Sequence, residues 1–158
     1  FDVADPLASA LLIGPDCRLD AREIMQRLRL NGALVTLNAC TSGLSRVASG
    51  DELLGLPRAF LYAGAASILC TLHEVDDLAA YICMVMFYEN LALCGNAAEA
   101  LHTTQLRLRT LTHAEALAML TQADNAITPE RLHHLLADEP TPFAAPRFWA
   151  PFLLIGGH

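Results

Sequence analysis

The sequence predicts an α/β layered fold with a mostly parallel sheet. Two near-continuous apolar runs of strand length, "ALVTL" (33–37) and "SILCTL" (67–72), have the pattern of strands covered on both faces. Capped segments with helical periodicity lie between the apolar runs, so the order is strand, helix, strand, helix, strand. Hydrophobic residues make up 54% of the chain against 17% charged, which fits doubly covered strands or a surface that docks on something else. At 158 residues, the chain has the size of one domain and can bury a core without disulfide or metal staples.

Each element has a local reason. "SALLIG" (9–14) is a short apolar run closed by Gly14-Pro15-Asp16, a strand ended by turn residues. In "DAREIMQRLRL" (20–30), Asp20 is an N-cap with Glu23 three residues on, the capping-box spacing. Ala21, Ile24, Met25 and Leu28 then share a helical face, and Asn31-Gly32 ends the helix. Residues 41–52 are Thr-, Ser-, Gly- and Asp-rich and read as a loop. In "GLPRAFLYAG" (55–64), Pro57 suits a first helical turn and Gly64 a C-terminal end. Asp76 and Asp77 are candidate N-caps of a helix to about Leu93 that is apolar nearly all round. Asn96 with Glu99 opens another, to about Leu111. Thr112 and Thr128-Pro129 each open a short amphipathic helix before "DEPTPFAAP" (138–146) breaks regularity. Residues 112–146 thus read as a helical insertion inside a single domain spanning 1–158. "WAPFLLIGG" (149–157) is a last apolar strand.

Composition excludes several functions. The formal net charge is −7, and ten basic residues scattered singly do not make the clustered positive charge that phosphate binding needs. The apolar stretch "AAYICMVMFY" (79–88) is about half of the roughly 18 residues of a membrane span. Five cysteines, an odd number without C-x-x-C spacing, argue against a disulfide framework and a zinc knuckle. Reduced thiols in a cytosolic protein fit better. No Gly-rich phosphate loop of the usual spacing follows a strand, so a small-ligand α/β domain is disfavoured. Neither a cofactor nor a metal is expected. The chain begins at Phe1-Asp2 rather than Met and reads as a piece of a longer protein. A domain that lost its first strands would expose a sheet edge and self-associate.

In an α/β sheet, sites lie beyond the C-terminal ends of the strands. Cys40 lies just past one predicted strand end, and His73 and Glu74 just past the next. Cys40 opens into Thr41-Ser42-Gly43, small residues that allow backbone N–H groups near a sulfur, or it is a small packing residue. His73 can meet Cys40 if the two strands are neighbours, or it is an exposed loop-entry histidine. Asp76 and Asp77 form an acidic pocket wall selecting a basic substrate side chain, or they cap a helix. Cys70 and Cys83 read as packing residues, while Cys17 and Cys94 lie near turns without a partner signal. His133 and His134 are adjacent on a helix and point about 100° apart, which does not suit a shared metal. His102, His113 and His158 read as surface residues.

Ordered segments along the chain resemble one family. "PLASALLIG" (6–14) resembles a Pro-Leu-x-Ser-x-Leu-x-Leu segment, and "LVTLNACTSG" (34–43) a Leu-Val-x-Leu-Ser-Ala-Cys-Glu-Thr-Gly motif. "GDELLGLPRAFLYAGAASILCTLHEVDD" (50–77) resembles Gly-Leu-x-x-Ala-Phe-x-x-Ala-Gly followed by Leu-Trp-x-Val-Asp-Asp. "FYENLALCGNAAEAL" (87–101) and "FWAPFLLIGG" (148–157) resemble its Phe-Tyr-x-x-Leu and Trp-Ala-x-Phe-x-Leu-x-Gly signatures. These are the segments of the CHAT domain, a caspase-like peptidase domain related to separases and caspases and often found with tetratricopeptide repeats. The resemblance covers most of the chain outside 112–146. It implies a caspase–hemoglobinase-like three-layer α/β/α sandwich and a cysteine endopeptidase with Cys40 as nucleophile. It also implies a protein or peptide substrate, with an upstream repeat or sensor region as activating partner.

The chain departs from the family pattern in three places. The family's catalytic histidine, in a His-Gly pair just upstream of the segment matched by Phe1 to Gly14, falls outside this chain. Asn38 replaces the usual Ser, and Thr41-Ser42 replaces Glu-Thr. His73 replaces Trp, with Glu74 after it. The expected reaction is therefore peptide hydrolysis through a Cys40 thioester, with its base upstream of Phe1 or, as a substitute, His73. The alternative is a catalytically inactive caspase-like interaction module.

Overall fold

The structure, a computed structural model, describes residues 9–15, 17–37, 55–122 and 139–157. It is mixed α/β and divides into two compact units, Phe1–Glu74 with Phe152–His158, and Val75–Pro151. The loop expected over 41–52, the helix expected at Thr128-Pro129 and the His133-His134 pair fall outside the described residues.

In the first unit, β1 (Ala10–Leu12) and β2 (Arg18–Asp20) form an antiparallel hairpin. β2 was not legible in the sequence, because "RLD" offers one apolar residue and no alternation. Helix α1 (Ala21–Arg27) starts at the capping box: Asp20 Oδ1 accepts from the Glu23 N–H at 2.8 Å. The Asp20 N–H donates to Glu23 Oε2 at 3.3 Å. The helix stops at Arg27, three residues short of Leu30. Beyond it the Leu30 N–H donates to the Ala63 carbonyl at 2.9 Å, and the Gly32 N–H to the Gly64 carbonyl at 2.8 Å. The backbone that would have continued α1 docks instead on the end of α2 (Gly55–Tyr62). That end is a Schellman motif: the Ala65 N–H donates to the Phe60 carbonyl and the Gly64 N–H to the Leu61 carbonyl, both at 3.0 Å. Gly64 supplies the left-handed residue, at φ 98°.

The main sheet has the order β3-β4-β5, from β3 (Leu34–Leu37), β4 (Ser67–Thr71) and β5 (Phe152–Gly156). β3 and β4 are parallel, as expected, and β5 runs antiparallel to β4. The described sheet is therefore small and mixed, not mostly parallel. Registers Val35↔Ile68↔Ile155 and Leu37↔Cys70↔Leu153 put these six side chains on one face. That face packs with Ala21 and Ile24 of α1 and Ala59 and Phe60 of α2 in one cluster. Leu69, on the opposite face, is 1% exposed, so β4 is buried on both sides. At the end of β5, Gly156 has φ 81°, and a Cβ there would lie 2.7 Å from the Ala66 carbonyl oxygen. Only glycine lets the chain approach closely enough for the Gly157 N–H to reach that carbonyl at 3.0 Å.

The second unit is helical: α3 (Asp77–Cys94), α4 (Ala97–Thr110), α5 (His113–Gln122) and α6 (Pro146–Trp149). Asn96 Oδ1 caps α4 through the Glu99 N–H at 3.0 Å. Thr112 and Glu115 cap α5 reciprocally, and the Thr112 hydroxyl and N–H hold the Glu115 carboxyl below its usual range. α3 packs on α4, with Asn90 Nδ2 donating to the fully buried Thr104 hydroxyl at 2.9 Å. By length and composition α3 meets the criterion for a membrane span that the 79–88 run alone did not. Its Leu78, Ala79, Ile82, Cys83, Met86 and Phe87 are buried, however, and a core helix passes the same criterion.

Candidate active site

β3 and β4 end on the same edge of the sheet. Leu37 is the last described residue of β3 and the register partner of Cys70, one residue before β4 ends at Thr71. The neighbouring strands on which a Cys40–His73 site depends are therefore present. Cys40 itself lies outside the described residues.

His73, two residues past β4, is exposed, and its Nδ1 lies 2.9 Å from the Glu74 carbonyl oxygen. A carbonyl only accepts, so Nδ1 carries the proton in this contact and Nε2 keeps its lone pair in the neutral ring. In that tautomer Nε2 is the ring nitrogen able to accept a proton. No sequence signal indicated it, because the partner is a backbone carbonyl of the next residue.

The two carboxylates belong to the second unit. Asp76 is the N-cap of α3: its Oδ1 accepts from the N–H groups of Leu78 at 2.9 Å and Ala79 at 3.2 Å. These bonds satisfy two donors that the first turn leaves without helical partners. Asp77 is the first helical residue and is exposed, where its charge is favourable against the helix dipole. Asp76 thus has a structural task of its own, and Asp77 presents the more accessible carboxylate.

The four described cysteines are free thiols. Cys70, on the core face of β4, is 5% exposed, and burial pushes its pKa up to about 11. Cys83, inside α3, is fully buried, and burial pushes it up to about 12. Both suit packing, because the reactive species is the thiolate. Cys17 and Cys94 are exposed, and the Cys94 thiol lies 3.3 Å from the Asn96 carbonyl as its donor. Among the described residues, no three His, Cys, Asp or Glu side chains come together as a metal site.

No curated protein and no solved structure matches this chain. A family model, described as CHAT domain, matches residues 1–157. Spanning essentially the whole sequence, that match establishes that the chain belongs to the CHAT domain family, which is related to caspase-like peptidases.

Proposed function

We propose that this chain is the catalytic portion of a cysteine endopeptidase with Cys40 as its nucleophile. The observation that carries the reading is the shared edge of β3 and β4. Cys40 follows Leu37 by three residues, a reach of about 10 Å in extended chain, and His73 follows β4 by two. Family membership supports the nucleophile and the finer architecture, a caspase–hemoglobinase-like three-layer sandwich. The surroundings are a reducing cytosol, and the substrate is a protein or peptide.

In this mechanism the Cys40 thiolate attacks the scissile carbonyl carbon. Backbone N–H groups beside Cys40 receive the oxyanion. The protonated base donates to the leaving amine, and an acyl thioester remains on Cys40. Water, deprotonated by the same base, then attacks the thioester carbonyl, releasing the acid and restoring the thiol. The base is a histidine from a His-Gly pair upstream of Phe1. A second reading makes it His73, favoured by the Nδ1 contact, which makes Nε2 the accepting nitrogen of the neutral ring.

Asp77, with Asp76, is proposed to favour a basic residue before the scissile bond. The longest product of the gene would be assayed on matched fluorogenic peptides with Arg or Leu at that position. Asp77→Asn is expected to lower the Arg/Leu ratio of kcat/KM by about tenfold, the loss of one charge-assisted contact. An unchanged ratio would remove Asp77 from substrate selection. Hydrolysis of neither peptide by the activated protein would count against the peptidase reading itself.

A further inference from the structure

We propose that Asn31 is a site of spontaneous deamidation, and that docking of residues 30–33 on the end of α2 holds it closed in the folded chain. Of the five asparagines, at 31, 38, 90, 96 and 125, Asn31 alone is followed by glycine. Deamidation begins when the next residue's backbone nitrogen attacks the side-chain amide, and glycine, with no Cβ, obstructs that approach least. Asn31 and Gly32 are both exposed, so water has access to the amide.

The fold opposes the first step in two ways. Asn31 has φ 47° and Gly32 φ 84°, and the Ala33 N–H donates to the Leu30 carbonyl at 3.0 Å. Two central residues with positive φ and that closing bond make a type I′ turn, which fixes the Asn31–Gly32 peptide. Among the described residues, Asn31 is the one non-glycine with positive φ, a conformation that asparagine tolerates better than most residues. The nitrogen itself is engaged: the Gly32 N–H donates to the Gly64 carbonyl at 2.8 Å. It must lose that proton to attack, so the bond has to open first. The same stretch is tied on either side, by the Leu30 N–H to the Ala63 carbonyl and by the Ala66 N–H to the Ala33 carbonyl, both at 2.9 Å. Reaction is therefore confined to molecules in which segments 30–33 and 63–66 have parted.

The chemistry needs only water. The Gly32 nitrogen bonds to Asn31 Cγ, the Cγ–Nδ2 bond breaks, and ammonia leaves with the proton that Gly32 gave up. Water then adds to either carbonyl of the succinimide ring and opens it. One product is aspartate. The other is isoaspartate, whose main chain runs through Cβ and Cγ. That main chain is longer by a methylene and does not close the turn that leads into β3.

The test is peptide mapping by mass spectrometry of the full chain 1–158 held at mildly alkaline pH, folded and in denaturing urea. The free peptide Leu-Arg-Leu-Asn-Gly-Ala-Leu-Val (28–35) is the reference. In urea, Asn31 is expected to convert at the peptide's rate and ahead of the other asparagines. In the folded chain it should convert at least about tenfold more slowly, because only a minor open state reacts. Gly64→Ala loosens the dock from the other side: the residue has φ 98°, and its added Cβ would lie 3.4 Å from the Asn31 nitrogen. It should speed conversion in the folded chain about fivefold or more. Leu93→Ala, at an exposed position on α3, should stay within about twofold of the parent. A melting curve shows whether Gly64→Ala folds, and the comparison of folded chain with peptide stands either way. The proposal is overturned if Asn31 in the folded chain converts as fast as in the peptide, or if another asparagine converts faster than Asn31 in urea. It is also overturned if folded Gly64→Ala converts no faster than the parent.

Discussion

Replacing Cys40 with alanine is expected to lower amide hydrolysis by the activated protein on the order of 10⁴-fold or more, the effect of deleting a nucleophile that works with a base as a unit. No other described thiol can take its place. Cys70 and Cys83 lie in the packed interior with pKa values near 11 and 12. At pH 7 a thiol of pKa 11 is ionised in about one molecule in 10⁴. Cys17 and Cys94 are exposed, but neither lies near the ends of β3 and β4 in sequence. The measurement is kcat/KM on a fluorogenic peptide, beside a melting curve of the variant. Retention of more than about a tenth of the rate by a folded Cys40→Ala protein would contradict nucleophilic catalysis at this position.

Phe87→Ala is expected to cost about 3–5 kcal/mol of stability. The Phe87 side chain is fully buried in α3, beside Ile82, Cys83 and Met86, and meets the Tyr88 ring edge-on at 5.3 Å. Truncation removes a large apolar surface and leaves a cavity that a close-packed interior fills only in part. A domain is stable by only about 5–15 kcal/mol, so this one change takes a large share. For a chain of this length the melting temperature should fall by roughly 2–4 °C for each kcal/mol lost. Leu93→Ala is the contrast: Leu93 sits on the same helix but is 86% exposed, and its loss should stay within about 0.5 kcal/mol. Equal effects from the two substitutions would mean that α3 buries a different face from the one described.

Local chemistry was the part of the fold most legible in the sequence. The capping box at Asp20 and the Asn96 cap needed only the spacing of an acceptor and an acidic residue three positions on, and Thr112 read as a helix opener without its Glu115 partner. The left-handed residue at Gly64 followed from glycine after a helical run. Longer-range features were not legible. The run "FLLIG" is equally apolar whichever way β5 runs, so its antiparallel pairing with β4 could not be read from it. α1 stops early because Leu30 and Gly32 find their partners in residues 63 and 64, far along the chain. α6 was hidden because its four residues, "PRFW", straddle the end of the irregular stretch, where Pro146 was placed, and the start of the last strand, where Trp149 was placed.

The candidate site was legible to a similar depth. Positions past two strand ends singled out Cys40 and His73, and the structure makes those strands parallel neighbours. The tautomer of His73 depends on a backbone carbonyl that no residue pattern encodes. Asp76 and Asp77 read as a pair in sequence but differ in the structure, one spent on capping and the other exposed.

The central claim, a nucleophilic Cys40, is tested most directly by covalent labelling. A peptidyl acyloxymethyl ketone with Arg at the first position would be incubated with the longest product of the gene and with the chain 1–158, and the modified residue located by mass spectrometry. The result expected is stoichiometric modification of Cys40 in the long product, absent from Cys40→Ala and from the short chain. Equal labelling of the short chain, lost in His73→Gln, would move the base to His73 and keep the nucleophile. Modification confined to Cys17 or Cys94, with Cys40 untouched in the activated protein, would contradict the claim and leave the interaction-module alternative in its place.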